Sequence, residues 1–445
     1  MGKRKIFLLL LLALLCALCT GCEEKEKVTE TISTLTEVPV LPSFIPEPDR
    51  TVEEVDLPER YDYIEEGRMP LLRNQGDTNT CWAFASLSAL ETSKDEDMNG
   101  SFSADHLIYQ NPFGKNFEEG GAYVVTMSYL LSWKGPILEE TDPFDGESQD
   151  GLEPYLHVQE IRQSEPKDYE TIKKFVYLYG GVESAIYLDF DEYMIDSPYY
   201  DQEYNSYCYM GQEISNHDIV IIGWDDHFPA ENFANDVTSD GAFLCLNSWG
   251  EGFGDRGTFY VSYEDVNIGG YGVAYTRVDK PDNYDRIYQS DLCGYTAQVG
   301  YGQEEAWFAS VYRAEEDISL RAAGFYATGK NTEYEIYVVS DFTDKGSFKD
   351  RKYLCNGFLA DAGYYTIDLP EEVLVEAGND FAIVVKIITE GAEFPVAIEC
   401  PVEDLSENAD MSDGRSYLSL QGTLWEHIEE TKNYNICLKG YADLQ

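Results

Sequence analysis

The apolar residues of this chain follow different periods in its two halves. After Cys81, the residues Phe84, Leu87 and Leu90 recur at i, i+3 and i+6, which predicts a helix with one apolar stripe facing a core. A polar, glycine-bearing loop precedes Cys81, so the pattern places this cysteine in the first turn of the helix. Later, residues 219–222 form a short apolar run that predicts a buried strand.

Beyond residue 286 the pattern is typical of short strands. Segments such as EYEIYVVSD, DFAIVVKII and NICLKGY are rich in β-branched and aromatic residues, and Gly, Asp and Asn separate them. This pattern predicts an antiparallel β-sandwich over residues 286–445. The segment DKPDNYD, residues 279–285, is the predicted linker, and we expect residues 52–278 to fold without the second half.

Cys81 is a candidate nucleophile. The first turn of a helix has unpaired N–H groups and a positive dipole end, which favour an anion. The thiolate is the reactive form of cysteine, and a helix N-terminus beside a cationic partner lowers the thiol pKa. From this stretch alone, a buried structural cysteine remains the alternative. Two possible partners follow, because His217 opens the apolar run at 219–222 and Asn247 ends a later one, FLCL.

This cysteine, histidine and asparagine, in this order, resemble the site of the papain-like cysteine peptidases. Further motifs carry the resemblance across residues 52–278. They are LPERYDYIEEGRMPLLRNQG, FSADHLIYQN, EEGGAYVVTMSYL followed by KGPILEETDPF, and NSWGEGFGDRGTFYVSY. The resemblance implies an α+β fold, with a two-lobed peptidase domain (a helical lobe plus a β lobe) followed by the antiparallel β-sandwich domain.

The resemblance also implies roles for individual residues. Cys81 and His217 would form a thiolate–imidazolium pair, and Asn247 would orient the histidine ring. Gln75 and the backbone N–H of Cys81 would hold the oxyanion. On the substrate side, Gly120 and Gly121 would let the substrate backbone approach closely.

Two other positions near the expected cleft stand out. Trp249 would shield the histidine–asparagine hydrogen bond from water. Asp218 occupies a position that is usually small and apolar in the family and that lines the pocket for the second substrate residue before the cut. A carboxylate there predicts acceptance of basic side chains, because it would otherwise lose solvation without gaining a partner. The alternative is that Asp218 points at solvent or at another protein group.

The N-terminus reads as a targeting segment. Residues 3–5 are basic, residues 7–18 are apolar, and Cys22 follows small residues. The CTGC motif resembles a bacterial lipoprotein processing site, although Cys19 stands where leucine is usual. We therefore expect a signal peptide at 1–21, a lipid anchor on Cys22, and a disordered tether over 22–51. Ordinary secretion with cleavage near Gly21 is the alternative.

The net charge of the chain limits the classes of partner that it can bind. The sequence has 31 Lys and Arg against 83 Asp and Glu, a formal net charge of −52. This balance argues against binding to nucleic acid or anionic lipid surfaces. The cysteines outside the N-terminal segment show neither zinc-site spacing nor a disulfide framework, so we predict no metal and no cofactor.

The sequence therefore predicts a cysteine-type endopeptidase on a bacterial cell surface, acting on peptide or protein substrates. Two other functions share the scaffold, a surface binding protein without turnover and an acyl transferase or transpeptidase. The second half resembles the lectin-like domain that follows the peptidase domain in some bacterial relatives. Carbohydrate binding would need exposed rings such as Trp307 or Trp425, but a structural module is the expectation.

Overall fold

The computed structural model describes residues 45–445 apart from 53, 69, 94–99, 191–195, 404, 407–408 and 413. The predicted signal peptide, Cys22 and most of the tether lie outside the described residues. The α-helices of the described part are α1 (Cys81–Ser93), α2 (Ala104–Gln110), α3 (Tyr123–Leu131), α4 (Tyr169–Tyr179) and α5 (Ile428–Lys432). None of them is long and apolar enough to cross a membrane.

The strands of the first half belong to one sheet, and α1 packs against part of it. They are β1 (Arg60–Asp62), β2 (His157–Ser164), β3 (Val182–Ile186), β4 (Tyr200–Asp201), β5 (Ser206–Tyr207), β6 (His217–Asp225), β7 (Ala242–Leu246), β8 (Thr258–Ser262) and β9 (Gly272–Asp279). The helices α1 to α3 form one lobe, and the sheet around β6 and β7 forms the other. Residues 82–92 of α1 are all buried, so the helix is covered on every side and not along a single apolar stripe as the sequence predicted. The expected helical and β lobes are both present.

The described strands of the second half all pair antiparallel. They are β10 (Arg286–Tyr288), β11 (Ala297–Val299), β12 (Glu305–Arg313), β13 (Ile318–Ala327), β14 (Thr332–Val339), β15 (Lys352–Leu359), β16 (Ala362–Val375), β17 (Asp380–Thr389), β18 (Val396–Glu399), β19 (Ser416–Ser419), β20 (Glu426–His427), β21 (Asn435–Ile436) and β22 (Leu438–Leu444). The order β10-β22-β13-β16 forms one layer and β15-β14-β17-β12-β19-β20 the other. Residues such as Phe325 and Ile383 fill the space between the layers. The predicted antiparallel sandwich is confirmed.

The two halves share one continuous sheet. Strand β16 of the sandwich pairs antiparallel with β2 of the first half, with Tyr364 opposite Ile161. The sheet thus runs from β10 through β16 and β2 to β9, β3, β6, β7 and β8. The edge of β2 is therefore covered by the second half of the chain, which nothing local in the sequence indicated.

The predicted linker is packed rather than loose. Oδ1 of Asn283 lies 2.7 Å from Nδ1 of His157. The hydroxyl of the buried Tyr284 donates a hydrogen bond of 2.6 Å to Oδ1 of Asp368. Nearby, Arg277 of β9 forms an ion pair of 3.0 Å with Asp368 of β16. These contacts fix the sandwich against the first half.

The two tryptophans considered for sugar stacking belong to a second, smaller core. Trp307 is 5% exposed and Trp425 is 9% exposed. They lie with Phe348 and Tyr417 on the outer face of the β12-containing sheet. Neither ring presents a free face to a ligand, as expected for core residues.

Candidate active site

Cys81 is the first residue of α1, as the sequence predicted. The backbone N–H groups of Ala83 and Phe84 bond to the carbonyl of Thr80, which closes the first turn behind the cysteine. The thiol is partly exposed, and its sulfur lies 3.9 Å from Oδ2 of Asp218. A reactive group at this position can therefore meet both solvent and the β lobe.

His217 and Asn247 meet at the ends of two neighbouring strands. His217 begins β6, and Asn247 directly follows β7. The antiparallel pairing of Val220 with Leu246 brings these two ends together. As a result, Nε2 of His217 lies 2.7 Å from Oδ1 of Asn247. The centroid of the Trp249 ring lies 5.0 Å from the centroid of the His217 imidazole.

Gln75 lies on a loop that is fastened to the segment after Asn247. Its backbone N–H donates to the carbonyl of Ser248 at 2.9 Å, and its side-chain oxygen accepts from the Ser248 hydroxyl at 2.6 Å. Its side-chain nitrogen donates to the carbonyl of Thr78 at 2.7 Å. An amide nitrogen carries two N–H groups, so the second is available to a ligand.

The glycine pair lies beside the nucleophile helix, just before α3. A Cβ added to Gly121 would lie 2.5 Å from the ring of Trp82, the residue that follows Cys81. Only glycine fits against this buried ring. Gly120 has open space around it, since an added Cβ would meet no atom within 4 Å.

Asp218 contacts protein groups. It is 9% exposed. Its Oδ1 accepts a short hydrogen bond from the hydroxyl of Tyr271, and its Oδ2 faces the Cys81 sulfur. Of the two interpretations of Asp218 that the sequence left open, these contacts favour the protein partner. Its role in reading substrate stays a prediction.

Glu183 is a second acid that the sequence analysis did not single out. It is fully buried on β3, where Oε2 accepts from the Ser86 hydroxyl of α1 at 2.5 Å. The only available signal was a single acid within the otherwise small and apolar run GGVESAI. Tyr271, beside the two acids, lies in a polar loop and carried no signal at all.

The electrostatics around Cys81 differ from the expected lowered thiol pKa. Burial, and then the nearby Asp218, raise the pKa of Cys81 to about 12. Burial lowers the pKa of His217 to about 4, although its bond to Asn247 acts in the opposite direction. Among the hydrogen bonds of the described residues, none joins Cys81 to His217. These shifts favour the neutral form of both groups, and no Lys or Arg among the described residues bonds to Asp218 or Glu183.

No group of three or more His, Cys, Asp or Glu in the described part of the chain has the geometry of a metal site. The seven described cysteines are all free thiols.

Comparison with protein families identifies the two domains of the chain. The model of the papain family of cysteine proteases matches residues 57–276, and the model of a lectin-like domain matches residues 287–442. The chain contains a papain-family cysteine protease domain followed by a lectin-like domain. The gap between the two matches, residues 277–286, covers the end of β9 and the packed segment that follows it.

Curated relatives agree on the papain-family domain. Cathepsin J of Mus musculus is 26% identical over 225 residues, which are 48% of this chain and 63% of the relative. Cathepsin L 1 of Paramecium tetraurelia is 25% identical over 208 residues, 45% of this chain and 57% of the relative. The chain thus spans less than two thirds of the length of these relatives.

Solved structures share the fold of both domains. The clostridial cysteine protease Cwp84 after propeptide cleavage has a TM-score of 0.74 at 24% identity, over 87% of this chain and 99% of that one. A structure of the cysteine protease and lectin-like domains of Cwp84 of Clostridium difficile has a TM-score of 0.73 at 24% identity, over 89% and 90%. At this identity the likeness shows the fold: a papain-family domain joined to a lectin-like domain.

Proposed function

We propose that this chain is a cysteine-type endopeptidase that cleaves peptide or protein substrates on the outer face of a bacterial membrane. The observation that carries the proposal is the 2.7 Å contact of His217 with Asn247 beside a partly exposed cysteine at a helix N-terminus. The papain-family domain supports the reaction class.

In the proposed reaction, the thiol proton of Cys81 passes to Nδ1 of His217, since Nε2 of the ring faces Asn247. The sulfur then bonds to the scissile carbonyl carbon. The side-chain N–H of Gln75 and the backbone N–H of Cys81 stabilise the oxyanion, at roughly 3 kcal/mol per donor. The C–N bond breaks, His217 gives its proton to the leaving amine, and water hydrolyses the acyl-enzyme.

The substrate is proposed to lie along Gly120 and Gly121. Trp249, against the imidazole, keeps water from the His217–Asn247 bond. Such shielding strengthens a hydrogen bond, because the local dielectric constant is lower than that of water.

The proposed organisation along the chain is a signal peptide at 1–21, a tether at 22–51, the papain-family domain at 52–278 and the lectin-like domain at 286–445. The Cwp84 structure is described as a surface layer associated protein, which supports a surface location here. Lipidation of Cys22 is the proposed anchor, and stable anchoring needs more than one acyl chain. Replacing Cys22 with Ala should abolish acyl labelling in cells, and unchanged labelling would rule the anchor out.

The activity is tested with the purified chain, an epoxide-type inhibitor of cysteine peptidases and a mixed peptide library. Wild type should be labelled at Cys81 and should cleave peptides. Cys81→Ser and His217→Ala should lose cleavage while keeping the fold, because a serine hydroxyl is far harder to ionise and the alanine cannot carry the proton. Cleavage by Cys81→Ser at the wild-type rate would overturn the mechanism. An added amine acceptor separates hydrolysis from acyl transfer, since a transferase would join it to the acyl fragment.

A further inference from the structure

Two carboxylates lie together behind the proposed nucleophile. Asp218 is on β6 and Glu183 on β3, where Ala185 pairs with Asp218 and Glu183 with Val220. Directly paired residues point to the same face, and Glu183 lies two residues from Ala185, so both acids face α1. Asp218 is 9% exposed and Glu183 is 0% exposed.

The described hydrogen bonds of these two acids all involve uncharged groups. Asp218 contacts the Tyr271 hydroxyl of the segment before β9 and the Cys81 thiol of α1. Glu183 accepts from Ser86 of α1, and its other oxygen has no partner among the described residues. His217 bonds to Asn247, and the buried hydroxyls of Tyr123 and Tyr275 also interact with Glu183. Within the described part of the chain, no Lys or Arg bonds to either acid.

The consequence is that the two acids ionise one after the other. Burial raises the pKa of Asp218 to about 6, and burial together with Asp218 raises the pKa of Glu183 well above its usual range. Two close carboxylates in a dry site do not both ionise readily. Above pH 6 the charge therefore rests on Asp218, the acid whose oxygen lies 3.9 Å from the Cys81 sulfur.

We propose that Asp218 is a positioning residue that holds the Cys81 thiol in its neutral form, and that protonation of Asp218 releases the nucleophile. With Asp218 ionised, the S–H donates to the carboxylate, and a thiolate would face a like charge. With Asp218 protonated, the thiol proton leaves to His217 and the Asp218 O–H donates to the thiolate. The inference deepens the proposed function of Cys81 and predicts an enzyme that works best in acidic surroundings.

The test measures alkylation of the Cys81 thiol in the full chain, which does not depend on peptide cleavage. Iodoacetamide is added between pH 4.5 and 9, and the modified Cys81 peptide is quantified by mass spectrometry. For an isolated thiol titrating well above this range, the log of the rate rises by about one per pH unit. In wild type the log of the alkylation rate should instead stop rising near pH 6, where Asp218 ionises, and rise again at higher pH. This flat region is the step.

Variants assign the step to Asp218. Asp218→Asn should remove the step and raise the alkylation rate at pH 7 by about tenfold or more, one pKa unit being a factor of ten. Tyr271→Phe should move the step to higher pH, because the lost hydrogen bond favours the ionised carboxylate. Glu183→Gln should leave a step near pH 6, since Glu183 is already neutral there. His217→Ala should keep the step, which separates Asp218 from the imidazole.

A wild-type profile without the step would overturn the proposal, and so would a step that Tyr271→Phe does not move. These two measurements decide the matter even where Asp218→Asn fails to fold. The outcomes are separable from those of the proposed function. A chain that shows the step but cleaves no peptide supports this inference and contradicts the proposed peptidase activity. A chain that cleaves peptides but shows no step supports the peptidase activity and contradicts this inference.

Discussion

The hydroxyl of Thr366 in the lectin-like domain donates a 2.7 Å hydrogen bond to the side-chain oxygen of Gln159 in the papain-family domain. Both side chains are buried, at 4% and 0% exposure. The bond lies beside the β2–β16 pairing, so the two domains are joined by backbone and side chains within one sheet.

Truncation after Val278 is therefore expected to destabilise the papain-family domain. Removing β16 uncovers the edge of β2 and leaves Gln159 without its partner, and an uncovered edge promotes aggregation. This revises the expectation, drawn from the linker, that residues 52–278 fold alone. Thermal unfolding and size-exclusion chromatography of the truncated and full chains provide the measurement. A soluble, monomeric fragment with an unchanged melting temperature would contradict the revision.

A paired substitution provides the matched control in the full chain. Thr366→Val alone should cost about 1–3 kcal/mol of unfolding free energy, because the Gln159 oxygen stays buried without a donor. Adding Gln159→Met should recover much of that loss, since removing both partners leaves no unpaired group. Equal losses in the single and double variants would show that the bond carries no such energy.

Asn247→Ala should reduce kcat/KM for a peptide substrate by about 10- to 100-fold, less than the loss in Cys81→Ser. The imidazole would lose its only described hydrogen bond, which is worth about 1–3 kcal/mol in a buried site. Asn247→Asp is the companion variant. It keeps an acceptor and adds a negative charge beside Nε2, so the pKa of His217 should rise from about 4. Steady-state rates between pH 4 and 9 measure both effects, and a wild-type rate for Asn247→Ala would exclude the orienting role.

Much of this site could be predicted from local sequence. The helix beginning at Cys81 follows from apolar periodicity, and the strands beginning at His217 and ending before Asn247 follow from apolar runs. The structure places all three as expected. The sandwich strands were equally visible, because alternation over several residues reports a half-buried sheet.

The rest depends on pairings between distant parts of the chain. Nothing near β2 signals that β16, about 200 residues later, covers its edge. The expected low pKa of the Cys81 thiol is wrong for the same reason. The helix N-terminus predicted a lowered value, whereas Asp218 and Glu183 reach Cys81 only through the packing of β6 and β3 on α1.

Glu399 should make the stability of the lectin-like domain depend on pH. It is buried, accepts from the backbone of Cys293 at 2.6 Å and from Asn435 at 2.9 Å, and burial raises its pKa to about 7. A raised carboxyl pKa means that the folded state holds the proton longer than the unfolded state. The stabilisation is therefore complete below about pH 4.5 and is lost as pH rises to about 7, by about 3 kcal/mol at most.

The measurement is the melting temperature of wild type and Glu399→Gln from pH 4.5 to 8. The glutamine cannot accept from both donors, so the variant should be less stable throughout. Its melting temperature should nevertheless fall less between pH 5 and 7 than that of wild type. The exposed Glu393→Gln is the control and should follow the wild-type curve. Parallel curves for wild type and Glu399→Gln would show that Glu399 does not set the pH dependence.

Asp218 offers a last prediction, on specificity. The sequence suggested that its carboxylate accepts a basic substrate residue at the second position before the cut. Both carboxylate oxygens already have protein partners, Tyr271 and Cys81, so a substrate guanidinium would have to displace one of them. We therefore expect Asp218→Ala to change the overall rate and its pH profile, but to leave the Arg/Leu ratio of kcat/KM at that substrate position within about twofold, since no direct ion pair is removed. Paired substrates that differ only in Arg or Leu there, each measured at pH 5 and 7.5, give the ratio. A fall in the ratio of tenfold or more in Asp218→Ala would restore the substrate-reading role, because only a direct contact with the charged side chain discriminates the two substrates by that much.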